Sequence, residues 1–248
     1  MTTLKEKYLC CIEGACDALD GLEEYGIGQG DAPGLLVMHG AAMYARDISR
    51  AATGLLRAGQ TLAAGALARV VIEHAVIVQW VMVDPEARGQ LFLDQSWVER
   101  TRWFEVVLKA GFDLTDPRSA AVLKIKQEQR SASSKPKNVA PEFDTVKNLF
   151  GDTDSGRQLY LTYRNLSRFV HPSAATFARY TSAVDLGGLK LRTVLVSDQD
   201  PEAIAFYLAS ATVMCALPYF KVLDEVEAAD AVGEAARAAG VVTSLIEI

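Results

Sequence analysis

Histidine is scarce in this chain of 248 residues: His39, His74 and His171 are the only three. So few imidazoles exclude a histidine-rich metal centre, and none of the three has an acid three residues before it, where Leu36, Val71 and Arg168 stand. That removes the Glu-x-x-His pairs of a ferritin-like di-metal bundle. The four cysteines, Cys10, Cys11, Cys16 and Cys215, form no CxxC pair and no zinc-type spacing with the histidines. The expectation is a cytoplasmic protein with reduced, buried thiols and neither metal nor cofactor. Positive charge is also in deficit, 25 Lys and Arg against 31 Asp and Glu for a net −6, which argues against a long basic surface for nucleic acid. No glycine-rich loop follows a strand to cradle phosphate, and no GxSxG elbow is present. Gly26, Gly28 and Gly30 in GIGQG fall in a break and read as loop. The opening residues carry Lys5, Glu6 and Lys7 before a short apolar run, so no secretory signal is expected. The longest uncharged segment, Ala203 to Phe220, is alanine-rich and interrupted by Ser210, Thr212 and Pro218. It reads as a buried bundle helix, with no membrane association expected.

Helix periodicity dominates what remains. Leu4, Tyr8, Cys11 and Ile12 lie on one face of a first helix reaching to about Leu22, and a second is expected over Leu35 to Ala58. Thr61 to Val83 is apolar nearly all round, which places it at the centre of a fold. Asp84-Pro85-Glu86 and Asp200-Pro201-Glu202 repeat one grammar, an N-cap acid before proline at the first helical position. They open a fourth helix to about Lys109 and a long helix near the end, and an alanine-rich acidic helix closes the chain. Residues 117 to 130 add another helix. SASSKPKN then predicts a mobile loop at about 131–142, within a locally basic stretch from Lys124 to Lys147 that reads as a solvated loop or a phosphate-attracting rim. VDLGGLKLRTVLV alternates around Gly187-Gly188 and predicts a small hairpin at about 183–196. The expected architecture is all-α: one domain over 1–248, a multi-helix bundle with a small β-hairpin insertion.

The chemistry is concentrated in Gly156 to Tyr180. On a helical wheel Leu159, Thr162, Leu166, Phe169 and Val170 gather on one side, and Tyr160, Tyr163, Arg164, Ser167 and His171 on another. Arg164 and His171 are seven residues apart, close to two turns. Pro172 stops the helix at His171, whose position at a helix C-terminus favours the imidazolium and suits a general acid.

The string Arg164-Asn165, five further residues and His171 resembles the Arg-polar-x(4–6)-His signature of the HEPN superfamily, helical domains named for higher eukaryotes and prokaryotes nucleotide-binding. The resemblance implies a metal-independent ribonuclease of toxin–antitoxin or phage-defence type, or a catalytically silent relative. It further implies RNA as substrate, an antitoxin protein as partner, and a homodimer with two motifs facing one cleft. In that reading Arg164 holds phosphate, His171 moves a proton and Asn165 orients either group.

Two further residues sit four apart on the central helix, Arg69 and Glu73, with His74 beside them. Charges there are paired. Either they close an ion pair within the helix, or Glu73 reaches Arg164 or His171. The alternative to catalysis is a helical scaffold, or a pocket for a small anionic ligand at Arg164, whose polar face of Tyr160, Tyr163, Ser167, Arg69 and Glu73 serves binding or packing. His39, in an apolar context, is expected as a core or interface histidine.

Overall fold

The computed structural model describes residues 3–22, 32–110, 150, 154–167, 170, 181–184, 188–191 and 200–245. Among them the architecture is an all-α helical bundle of seven helices: α1 (Leu4–Asp20), α2 (Ala32–Arg57), α3 (Thr61–Met82), α4 (Pro85–Lys109), α5 (Asp154–Ser167), α6 (Pro201–Val222) and α7 (Val226–Ala239). Two short segments, β1 (Thr181–Val184) and β2 (Gly188–Leu191), pair antiparallel with Thr181 opposite Leu191. The helix expected over 117–130, the loop at 131–142 and His171 lie outside the described residues.

Two helix starts follow the Asp-Pro-Glu grammar of the sequence, and a threonine caps the first helix. Thr3 Oγ1 accepts from the Glu6 amide at 3.2 Å, Asp84 Oδ1 from Ala87 at 3.1 Å and Asp200 Oδ1 from Glu202 at 2.9 Å. Each satisfies an amide that the first turn leaves without a helical acceptor. At the other end of the chain, α7 stops at Gly240, whose left-handed φ of 71° returns its amide to the carbonyls of Ala236 and Arg237.

The core is built around α3 and α6. Helix α3 packs on α2, α4, α5 and α6, while α6 packs on α1, α2, α3 and α7. Residues 208–220 of α6 are buried without a break. Alanines supply much of that surface, Ala64, Ala68 and Ala75 on α3 and Ala205, Ala209, Ala211 and Ala216 on α6, all fully buried. Such short side chains let helix axes approach closely. By length and composition α3 and α6 could each cross a membrane, and both are central helices here, with α6 the more deeply buried.

Two features set the helix geometry. An ion-pair ladder joins α1 to α2, with Arg46 on Asp20 at 2.9 Å, Arg50 on Asp17 at 2.8 Å and Arg57 on Glu13. The pairing order makes the two helices antiparallel, and pairs this exposed to solvent add little to stability. Near the N-termini of α2 and α4 the backbones touch at Gly34 and Gly89. A Cβ on Gly34 would meet the Pro85 carbonyl oxygen at 2.4 Å, and one on Gly89 would meet the Gly34 nitrogen at 2.4 Å.

Proline inside α6 has a specific compensation. Pro218 lacks the N–H that would bond the Met214 carbonyl four residues earlier. The side-chain amide of Gln79, from α3, donates to that carbonyl at 3.0 Å. The Gln79 oxygen then accepts from the Leu245 amide at 3.1 Å and the Ser244 hydroxyl at 3.0 Å. One buried amide thus mends the proline gap and ties down the segment after α7.

Burial corrects two expectations. Cys10 is exposed, while Cys11, Cys16 and Cys215 are buried. His39 is exposed, which removes the core half of its reading and leaves the interface half, and its Nδ1 lies 2.7 Å from the Tyr219 hydroxyl.

Candidate functional site

Helix α5 packs against α3 through Leu159, Tyr163 and Leu166, all buried, at the i, i+4, i+7 spacing of one face. Its described residues run to Ser167, and the expected stop at His171 lies outside the described residues. Tyr163 therefore belongs to the inward face, not to an outer polar face shared with Arg164. Val170, placed with the core side by the wheel, is 41% exposed.

Across this contact four polar side chains close on one another. Arg69 pairs with Glu73 one turn along α3, Nη2 to Oε1 at 2.9 Å. The same nitrogen donates to the Tyr163 hydroxyl at 2.8 Å, and that hydroxyl donates to Glu73 Oε1 at 2.8 Å. Arg69 Nε donates to Ser167 Oγ at 2.8 Å, and Ser167 returns its proton to the Tyr163 carbonyl at 2.7 Å. The guanidinium carbon stands 4.8 Å from the Tyr163 ring centre, within cation–π range. Every member of the set is hydrogen-bonded, which is what a half-buried charge requires. Behind it Tyr160 stacks on Tyr163 at 6.2 Å, and Phe150 meets Tyr160 edge-on at 5.4 Å. Of the two alternatives for Glu73, the structure has the intrahelical pair with Arg69, extended across to Tyr163.

Arg164 and Asn165 are exposed, and among the described residues no hydrogen bond or ion pair engages either side chain. They share the outer surface of α5 with Leu161, which is 67% exposed. The site residues thus divide in two. Arg69, Glu73, Tyr160, Tyr163 and Ser167 form the α3–α5 contact, and Arg164 and Asn165 present a cation and an amide to solvent.

The helical wheel does not single out three other places. His74 donates from Nδ1 to the Val70 carbonyl at 2.8 Å and stacks on Tyr44 of α2 at 4.7 Å. The Gln79 amide is hidden in an apolar run. A cleft of about 420 Å³ opens between α5, α6 and the residues after α7. Among the described residues, no group of three or more His, Cys, Asp or Glu stands where it could hold a metal ion. The buried thiols are poor nucleophiles, since burial pushes Cys11 up to about 11 and Cys16 up to about 12.

The profile of one family, described as a family of unknown function (DUF5677), matches residues 35–188, well over half of the chain and including every site residue named above. No curated protein and no solved structure matches.

Proposed function

The chain belongs to the DUF5677 family, whose description assigns no activity, and from the site itself we propose that it is a metal-independent ribonuclease of HEPN type. One observation carries the reading. Among the described residues Arg164 has no partner, and it stands on the solvent side of a helix whose inner side is fixed by the Arg69–Glu73–Tyr163–Ser167 network. A structural arginine would be spent on a partner, as Arg69 is. An exposed guanidinium on a rigid support is free to take a phosphate in its planar fork.

In the proposed reaction the 2′-hydroxyl of RNA attacks its own 3′-phosphate. The O2′–P bond forms, the P–O5′ bond breaks, and the ends are a 2′,3′-cyclic phosphate and a 5′-hydroxyl. His171 takes the 2′-hydroxyl proton or gives one to the departing O5′, Arg164 neutralises the charge on the phosphoryl oxygens, and Asn165 orients one of them. A homodimer bringing two Arg–His motifs together, an antitoxin partner, a role in phage defence and a cytoplasmic location belong to this proposal. So does the single-domain organisation, with the hairpin insertion at about 183–196 as an appendage; the antiparallel register of β1 and β2 supports it.

The closed α3–α5 network favours a second reading, a non-catalytic scaffold or anionic-ligand protein in which the network serves packing. Mixed-sequence RNA incubated in excess EDTA separates the two. Cleavage to cyclic phosphate ends by the native protein, lost in folded His171→Ala and Arg164→Ala proteins, is expected for the nuclease. RNA left intact by the native protein, or cut equally by His171→Ala, overturns it.

A further inference from the structure

We propose that the cleft between α5, α6 and the segment 241–245 is a binding site for a neutral, ring-bearing small molecule. Its volume, about 420 Å³, is at the small end of the range that holds organic ligands. None of the residues lining it carries a formal charge, in a chain with 56 charged side chains. A charged ligand would find no counter-ion there, so charge complementarity selects a neutral one.

The wall chemistry narrows the class further. Two of the polar groups are already spent: the Thr162 hydroxyl donates to the Gln158 carbonyl at 3.1 Å, and Ser210 Oγ accepts from the Val242 amide at 3.2 Å. The Tyr207 hydroxyl and the Gln158 side-chain amide are the polar groups left to orient a ligand. The Phe206 ring stands edge-on to Tyr8 at 5.5 Å and to Tyr207 at 5.4 Å, so both cleft aromatics are held in fixed planes before anything binds. Met214 completes the floor with a polarisable sulfur. Flat rings gain most against such surfaces, through edge-to-face and sulfur–aromatic contacts. One wall of the cleft is a segment that Gln79 and Ser210 hold by its backbone amides. The site is therefore formed in advance, which limits what ordering costs on binding.

The test titrates the full chain with N-phenyl-1-naphthylamine, a neutral aromatic probe that brightens in apolar surroundings. The expected result is saturable binding at one site, weakened tenfold or more by Thr162→Trp, which fills the cleft, and unchanged by Val106→Ser, an apolar residue 63% exposed on α4. If Thr162→Trp does not fold by its melting curve, Leu161→Arg at the exposed rim takes its place. 2-Naphthol should displace the probe at concentrations where 2-naphthoate does not. Binding that does not saturate, that survives both cleft variants, or that yields equally to the carboxylate overturns the proposal. RNA is not involved, so the outcome is independent of the nuclease reading.

Discussion

Gln79 of α3 supplies to Met214 of α6 the hydrogen bond that Pro218 withholds, at 3.0 Å and wholly inside the bundle. A proline in a helix interior leaves a carbonyl without its donor, and burial makes that vacancy expensive. The repair comes from the neighbouring helix instead of from water.

That relation predicts a coupling between positions 79 and 218. Gln79→Leu should lower stability by about 2 kcal/mol, since it strands the Met214 carbonyl and the Leu245 amide. Pro218→Ala restores the missing N–H, so the double variant should lose about 1 kcal/mol less than the sum of the singles. Urea unfolding of the four proteins measures the cycle; strict additivity would mean that the two residues act separately.

The α3–α5 network and Arg164 should separate in stability. Tyr163→Phe removes a hydroxyl that both accepts from Arg69 and donates to Glu73, and should cost about 1–3 kcal/mol. Arg164→Ala, on the exposed side of the same helix, should stay within about 0.5 kcal/mol of the native protein. Denaturant midpoints read both, and a large loss at Arg164 would assign it to packing.

Glycines in these helices are not equivalent. Gly34→Ala or Gly89→Ala forces a Cβ into backbone atoms at 2.4 Å and should cost about 1–3 kcal/mol. Gly54→Ala meets nothing within 4 Å, and in a helix interior should stabilise by about 0.5–1 kcal/mol. Calorimetric melting of the three variants shows whether the signs are opposite.

Alkaline pH should destabilise the fold. Burial holds the Cys11 thiol at about 11 and Cys16 at about 12, and raises Cys215 and Tyr219 as well, against an ordinary thiol value of 9.0. The unfolded chain therefore releases thiol protons above pH 9 that the native one retains, and the stabilisation present below pH 9 is lost on the way to pH 11–12. Melting temperatures taken from pH 8 to 10.5 should fall steadily past pH 9. At pH 8 only Cys10, the exposed thiol, should react quickly with Ellman's reagent.

Much of the bundle is legible in the sequence because its signals are local. The proline starts at Pro85 and Pro201 stand where the Asp-Pro-Glu grammar puts them, and α3 and α6 are central as their continuous apolar composition requires. The site was harder to read. Adjacent residues on a helix differ by about 100°, and a wheel drawn without partners cannot say on which side of its boundary Tyr163 falls. The Arg69–Ser167 and Gln79–Met214 bonds join residues nearly 100 or more positions apart, and no periodicity encodes such pairings. A glycine inside a helix reads as weakness in sequence, whereas Gly34 and Gly89 are the point where two helices meet.

That meeting point acts as a pivot. Two backbones in contact cannot slide past each other, so α4 can move relative to α2 only by swinging about the crossing at Gly89. The lever from there to Lys109 is about 30 Å long at a rise of about 1.5 Å per residue. A tilt of about 10° at the glycines would carry the far end of α4 through roughly 5 Å. The smallest side chains in the protein thereby decide which end of its fourth helix stays still and which end can travel.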